Sequence, residues 1–217
     1  MNKETGREGF GPSRIRQGVF RPTKALARIL LTPFFSLERE GDANLPHREA
    51  FLLLPKHQRW EDIPLLSLAS PRPLHYVAKV ELFKNGFGRW FLRSLGGIPL
   101  NRERPLESRR HLREMLGVMN AGEGVVVFPE GTYYPQRVGP GQVGLVRLIL
   151  SRVNLPFIPV GIRYEKTRAR TRVRVRFGRP IQGNPAAYPK AFINHVMNEI
   201  AELSGLGACP EREGQGL

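Results

Sequence analysis

The sequence predicts an α/β domain: a mainly parallel central sheet flanked by helices, preceded by an amphipathic helical segment. Three observations carry that expectation. Apolar runs of strand length alternate with stretches of helical periodicity from "AFLLLP" at Ala50 to the last periodic residues near Leu203. Several runs, "AFLLLP" and "VVVFPEG" among them, are apolar throughout, as buried strands are. The polar residues His57, Lys79, Arg102 and Glu130 directly follow such runs, and parallel sheets gather their chemistry at the carboxyl ends of strands.

The 217 residues, 41% of them hydrophobic, suffice for one domain with a real core. Residues 1–18 are polar and glycine-containing, a loosely ordered start. In "VFRPTKALARILLTPFFSL" (Val19–Leu37), Leu26, Ile29 and Leu30 recur at helical spacing with Arg21, Lys24 and Arg28 on the flank. This segment, taken as 19–45, suits the headgroup layer of a membrane or a first helix packed on the core.

The domain proper, 46–205, opens with "AFLLLP" as a strand and "DIPLLSLAS" as a short helix with Asp62 near its start. "LHYVAK" is a second strand. "VELFKNGFGRWFLRSL" reads as one helix with Val80, Phe83, Phe87, Trp90 and Phe91 on a single face, despite two glycines. "GGIPLNR" is a third strand, and Leu106–Met119 is an amphipathic helix stopped by Gly122 and Gly124. "VVVFPEG", the helix "QVGLVRLILSRV" and the strand "LPFIPVGI" follow. "TRVRVRFG" alternates strictly, a half-exposed strand with Arg172, Arg174 and Arg176 on one face. A helix over Pro189–Leu203 closes the domain, and 206–217 is a polar, glycine-rich tail.

Charge narrows the partners. Lys and Arg number 34 against 19 Asp and Glu, and the pI is ≈ 11.0, which favours a polyanion, either nucleic acid or an anionic membrane face. No nucleic-acid-binding module is present, and there is no basic–aromatic platform beyond Phe177, which weighs against the first. The single cysteine, Cys209, has no internal disulfide partner and fits a reducing compartment. Nothing resembles a cleavable signal peptide, and Leu26–Leu37, broken by Arg28 and Pro33, falls short of the roughly 20 apolar residues that cross a bilayer. The 5 histidines are scattered, without H-E-x-x-H or C-x-x-C, so no metal is expected. With no G-x-S-x-G and no motif around Cys209, a serine or cysteine nucleophile is unsupported.

"KHQRWED" places His57 and Asp62 where a strand empties into a loop. A neutral imidazole takes a proton from a hydroxyl near pH 7, and a carboxylate on its far nitrogen fixes the tautomer and stabilises the imidazolium. Taken alone, the pair also reads as a strand-exit histidine and a helix N-cap aspartate. If His57 is a base, the nucleophile is the substrate's own hydroxyl. In "FPEGT", Gly131 allows close approach to the backbone, and Glu130 suits orienting a hydroxyl or ordering basic neighbours. "IPLNR" delivers Arg102, whose planar fork suits a phosphate.

"KHQRWED", "GGIPLNR", "FPEGT" and "LPFIPVGI", in this order and spacing, resemble the four blocks of the glycerolipid acyltransferase family, best known for the 1-acylglycerol-3-phosphate acyltransferases. "AKVELFKNGFGRWFLRSLGG" is similar to the family as well, and the likeness runs from Ala50 to Arg163. It implies that a fatty acyl group moves from acyl-CoA or acyl carrier protein to the free hydroxyl of a lysophospholipid. The first acceptor implied is 1-acylglycerol-3-phosphate, giving phosphatidic acid in phospholipid biosynthesis. His57 would be the general base and Asp62 its orienting partner. Arg102, helped by Lys79, would hold the acceptor phosphate; Glu130 and Gly131 would complete the acceptor site, with Thr132 beside them. Pro156–Gly161 would shape the core and the acyl path. No cofactor beyond the thioester co-substrate is implied.

Departures from the family pattern cluster near the site. Lys56 stands where asparagine is common, Tyr133 and Tyr134 replace an arginine and a serine, and "GPGQVGLVRL" replaces a lysine-rich stretch. They leave open a different lysophospholipid or glycolipid acceptor, or a lipid-binding relative without catalysis. An amphiphilic substrate implies a peripheral enzyme on the cytoplasmic face of the cell membrane, drawn to anionic lipid by its basic residues. "RYEKTRARTRVRVRFGR" suits docking to that surface or to acidic acyl carrier protein; it suits equally a solvated basic edge strand that discourages sheet-to-sheet aggregation.

Overall fold

A computed structural model of the chain describes residues 14–101, 105–144, 155–181 and 185–207. Within them lie strands β1 (Phe35–Glu40), β2 (Phe51–Pro55), β3 (Leu74–Lys79), β4 (Gly97–Leu100), β5 (Gly124–Val126), β6 (Phe157–Lys166) and β7 (Thr171–Phe177). The helices are α1 (Gln17–Leu31), α2 (Asp62–Ala69), α3 (Gly86–Ser94), α4 (Pro105–Asn120) and α5 (Pro189–Ser204). The strands form one sheet in the order β1-β7-β6-β2-β5-β3-β4. From β6 to β4 every pairing is parallel; β7 runs antiparallel to β6, and β1 follows β7 in parallel.

β2 is the middle strand, and its composition follows from that place. Leu52 and Leu54 point into a core with Leu112, Met115 and Met119 of α4 and Ile193, Val196 and Ile200 of α5. Phe51 and Leu53 point the other way, into a core with Leu65, Leu66 and Ala69 of α2. Both faces being covered, each position must be apolar. At about 1.5–3 kcal/mol for each fully buried large side chain, this strand alone is a substantial anchor for the loop that leaves it. Gly124 of β5 is needed here: a Cβ on it would collide with the Phe51 ring of the neighbouring strand.

Four sequence expectations change. The segment 19–45 is not helical throughout: α1 ends at Leu31, just before Pro33, and Phe35–Glu40 becomes a strand paired with β7. "VELFKNGFGRWFLRSL" is two pieces, a 3₁₀ turn at Val80–Phe83 and then α3. Asn85 breaks it by capping α3, its side chain accepting from the Gly88 N–H, a local alternative to continuing the helix. The expected single apolar face therefore splits: Phe83 is buried, while Phe87 is 75% exposed beside an exposed Trp90. Finally, β7 is not an edge strand. Arg172, Arg174 and Arg176 lie alongside β1, where they meet Glu38 and Glu40 at 2.8–3.3 Å. Alternation shows that a strand is half exposed but not which strand lies beside it. These partly exposed pairs add little stability, but they give Arg172, Arg174 and Arg176 of the basic strip carboxylate partners within the fold. Arg102, most of the helix expected from Gln142, and the tail beyond 207 lie outside the described residues.

Among the described residues no helix is long and apolar enough to cross a membrane. α1 turns Phe20 and Leu31 inward, while Leu26, Ile29 and Leu30 stay exposed.

His75, near the start of β3, is 2% exposed, and its Nδ1 has no hydrogen-bond partner among the described residues. Burial lowers its pKa from 6.5 to about 4. The unfolded chain therefore takes up a proton that the fold refuses, and stability present at neutral pH is lost as pH falls from 6.5 to about 4. Between pH 7 and pH 4 the wild type is expected to lose about 3 kcal/mol more than His75→Leu. Denaturant unfolding of both proteins at the two pH values measures the difference, and equal losses would show that His75 is not the group responsible.

Candidate active site

The site begins where the ladder of β2 runs out. The Lys56 N–H still bonds the Val160 carbonyl at 2.9 Å, prolonging the ladder by one residue, and the chain then loops back into α2. Asp62 opens that helix but does not cap it. Its Oδ2 accepts from the Gln58 N–H at 2.6 Å and the Arg59 N–H at 2.8 Å, and lies 3.1 Å from His57 Nδ1. Its Oδ1 accepts from the Tyr164 hydroxyl at 2.6 Å. An ionised carboxylate only accepts, so the proton between Asp62 and His57 sits on Nδ1, and Nε2 is the ring nitrogen left to receive another. Asp62 is 0% exposed and His57 9%. Tyr164 stays a donor, since burial and then the adjacent Asp62 push its pKa up.

The imidazole is held from its sides as well. The Phe128 ring stacks on it with centroids 3.8 Å apart, and Tyr133 approaches to 4.3 Å. Phe128 also starts the turn that ends β5, closed by the Gly131 N–H on the Phe128 carbonyl at 3.2 Å. Gly131 has φ 73°, a left-handed conformation that glycine adopts without strain.

Beneath His57 lies a buried ion pair. Lys56 Nζ is 2.9 Å from both oxygens of Glu130, and both side chains are 0% exposed. The ammonium also donates to the carbonyls of His57 at 2.9 Å and Tyr134 at 2.8 Å. The carboxylate also accepts from the N–H groups of His57 and Gly139, each at 2.7 Å. Burial pushes the Lys56 pKa down and the Glu130 pKa up, against the attraction of each for the other. The surrounding groups fit the ionised pair: among the described residues, acceptors face the ammonium and donors face the carboxylate.

A cleft of about 590 Å³ opens over His57, with Lys79, Leu82, Phe128, Thr132 and Tyr133 in its walls. Of the residues expected at the site, His57, Lys79, Gly131 and Thr132 line this cleft, and Asp62 supports His57 from below. Glu130 does not line it. Its carboxylate faces Lys56 and two backbone amides under the cleft, so it is not available to an acceptor molecule. Tyr164 was not foreseen. It sits on β6, 102 residues from the carboxylate it bonds, and no local pattern marks it. Gln58, whose Nε2 donates to the Ile162 carbonyl at 2.6 Å, likewise ties the loop to β6. Lys56 and Glu130 were each conspicuous, but not as partners. Among the described residues no cluster of side chains could hold a metal ion.

The chain is similar to proteins of known class. It is 34% identical over 90 residues to the 1-acyl-sn-glycerol-3-phosphate acyltransferase of Bacillus subtilis, covering 41% of this chain and 44% of that protein. With the namesake of Streptococcus pneumoniae it shares 27% identity over 136 residues, 61% of this chain and 50% of the other. With the chloroplastic enzyme BAT2 of Brassica napus it shares 27% over 195 residues, 84% of this chain and 55% of that one. The chain thus spans about half the length of these relatives. The crystal structure of the 1-acyl-sn-glycerophosphate (LPA) acyltransferase PlsC of Thermotoga maritima superposes with a TM-score of 0.63 at 24% identity, over 87% of this chain and 80% of that one. That likeness establishes the mostly parallel, helix-flanked sheet as a known fold. The family model described as Acyltransferase matches residues 36–163, the stretch that carries the His57–Asp62 pair, the cleft and the Glu130–Gly131 turn, and this chain belongs to that family.

Proposed function

We propose that the protein transfers a fatty acyl group from a thioester to the free hydroxyl of a lysophospholipid, with 1-acylglycerol-3-phosphate as the first acceptor. One observation carries this reading: a histidine whose Nδ1 is fixed by a buried carboxylate lines a cleft with largely apolar walls, in which Lys79, Glu81 and Thr132 also stand. The acceptor O–H gives its proton to Nε2 as its oxygen bonds the thioester carbonyl carbon. Asp62 stabilises the imidazolium. The tetrahedral adduct then expels the thiolate by breaking the C–S bond, and the thiolate takes the proton back from His57. The carrier released is CoA or acyl carrier protein. The names of the relatives support the acceptor class.

Lys79, exposed at the end of β3 and lining the cleft, is the described cation placed for the acceptor phosphate. Lys79→Ala is expected to raise KM for a phosphorylated acceptor about tenfold with kcat little changed, the mark of lost binding common to ground and transition states. An unchanged KM would remove Lys79 from the phosphate site.

The protein works at a membrane surface in this reading. Exposed Leu26, Ile29 and Leu30 on α1, with Phe34 just beyond it, and a net charge of +15 support contact with anionic lipid on the cytoplasmic face. The deciding experiment is a panel of lysolipid acceptors against acyl-CoA and acyl carrier protein donors, with products identified by mass. Phosphatidic acid is the expected product. A product from a different lysophospholipid alone would reassign the acceptor. Vesicle binding without any product would identify a lipid-binding relative.

A further inference from the structure

We infer that Lys56 and Glu130 are positioning residues for His57: their buried ion pair grips the His57 peptide unit at both polar ends and so fixes where Nε2 opens onto the cleft. The inference rests on His57 being the base, as proposed above. Its starting point is a gap in the ladder. β2 ends at Pro55 and the last strand-type bond comes from the Lys56 N–H, so the N–H and C=O of His57 have no strand partner. Backbone groups at a buried strand end must be paired elsewhere. Here the His57 N–H donates to Glu130 Oε2 at 2.7 Å, and its carbonyl accepts from Lys56 Nζ at 2.9 Å and from the Tyr134 N–H at 2.9 Å.

The clamp is itself anchored. Glu130 Oε1 is held by the Gly139 N–H, and the ammonium by the Tyr134 carbonyl. His57 is therefore tied through charged groups to the turn after β5 and to residues 134–139, while Asp62 ties its ring to α2 and Tyr164 ties Asp62 to β6. Stability does not account for such a pair, because a buried ion pair is often replaceable by apolar residues of similar volume at no cost. Placement does account for it, since a base must be held within about 0.5 Å of its working position. Lys56, a departure from the family pattern, supplies the ammonium of this device, and Tyr134 takes part through its main-chain carbonyl and N–H.

The test is the double variant Lys56→Met/Glu130→Met, which keeps volume and removes both charges. It is expected to fold but to melt below the wild type, because the His57 and Gly139 N–H groups lose their acceptor. It should lose about 100-fold in kcat at a nearly unchanged acceptor KM, the signature of a displaced reacting group. Nitrogen-15 NMR of the His57 imidazole supplies a readout independent of turnover. The wild type should show the Nδ1–H tautomer, and the double variant a mixture. Should the double variant not fold, Glu130→Gln keeps the shape and is read by the same two measurements. Wild-type kcat with an unchanged tautomer would overturn the inference, as would a raised KM at intact kcat, which would make Glu130 an acceptor ligand. If the wild type acylates no acceptor, the functional reading fails on its own, and the tautomer comparison still decides the role of the pair.

Discussion

His57→Ala is expected to lower acyl transfer about 10³-fold, within the range for removing a general base, while leaving the protein folded. The fold tolerates the change because the side chain sits at the cleft floor rather than in either core. Asp62 keeps three of its four donors, the amides of Gln58 and Arg59 and the Tyr164 hydroxyl. The backbone clamp on residue 57 is untouched, since Lys56, Glu130 and Tyr134 bond only main-chain atoms there. The variant leaves a slot beside the Phe128 ring, and added imidazole should restore part of the rate. Asp62→Asn should cost a comparable factor for a different reason: its amide NH₂ would oppose groups that are all donors, and the His57 tautomer would no longer be fixed. Activity within tenfold of wild type in His57→Ala, by product mass at saturating acceptor, would remove His57 from the role of base.

Lys56→Met alone is expected to destabilise the protein by about 3–5 kcal/mol, because it strands a fully buried carboxylate without its counter-charge. In a domain of this size that lowers Tm by about 10 °C. Adding Glu130→Met should recover part of the loss, the charge penalty but not the two amides left without an acceptor, so the two changes are not additive. The pH dependence follows from the sign of the Glu130 shift. Its pKa in the fold lies above the ordinary 4.5, so the penalty in Lys56→Met is full above the folded pKa and fades as pH falls through it. Denaturant unfolding of the four proteins of the cycle measures all of this. A cost below about 1 kcal/mol for Lys56→Met would show that the pair is not ionised in the fold.

What the sequence made legible was local or periodic. The buried strands announced themselves because both their faces are covered, and His57 and Asp62 because they stand five residues apart on one loop. What it hid depended on partners distant in the chain. β1 looked like the end of a helix because only β7, 136 residues later, gives its glutamates a reason to alternate. Glu130 looked like part of the acceptor site or a group ordering basic neighbours, without a named partner, because the lysine it bonds lies 74 residues earlier. Tyr164 carried no local mark, because the carboxylate it bonds lies 102 residues earlier. The break at Asn85 was local, yet there a side-chain cap competed with helical periodicity and won.

The seating of β1 against β7 also bears on how the protein is made. The strands that lead to His57, Lys79 and Glu130, namely β2, β3 and β5, lie between Phe51 and Val126, whereas β1 has its neighbour in a strand that ends at Phe177. On a ribosome, β1 stays without its partner until the chain has been synthesised through β7. Such non-local pairing is slow to close even in a complete chain. β1 is thus among the last of the described strands to enter the sheet, and until then α1, with its exposed leucines and isoleucine, leads an edge still waiting for its partner.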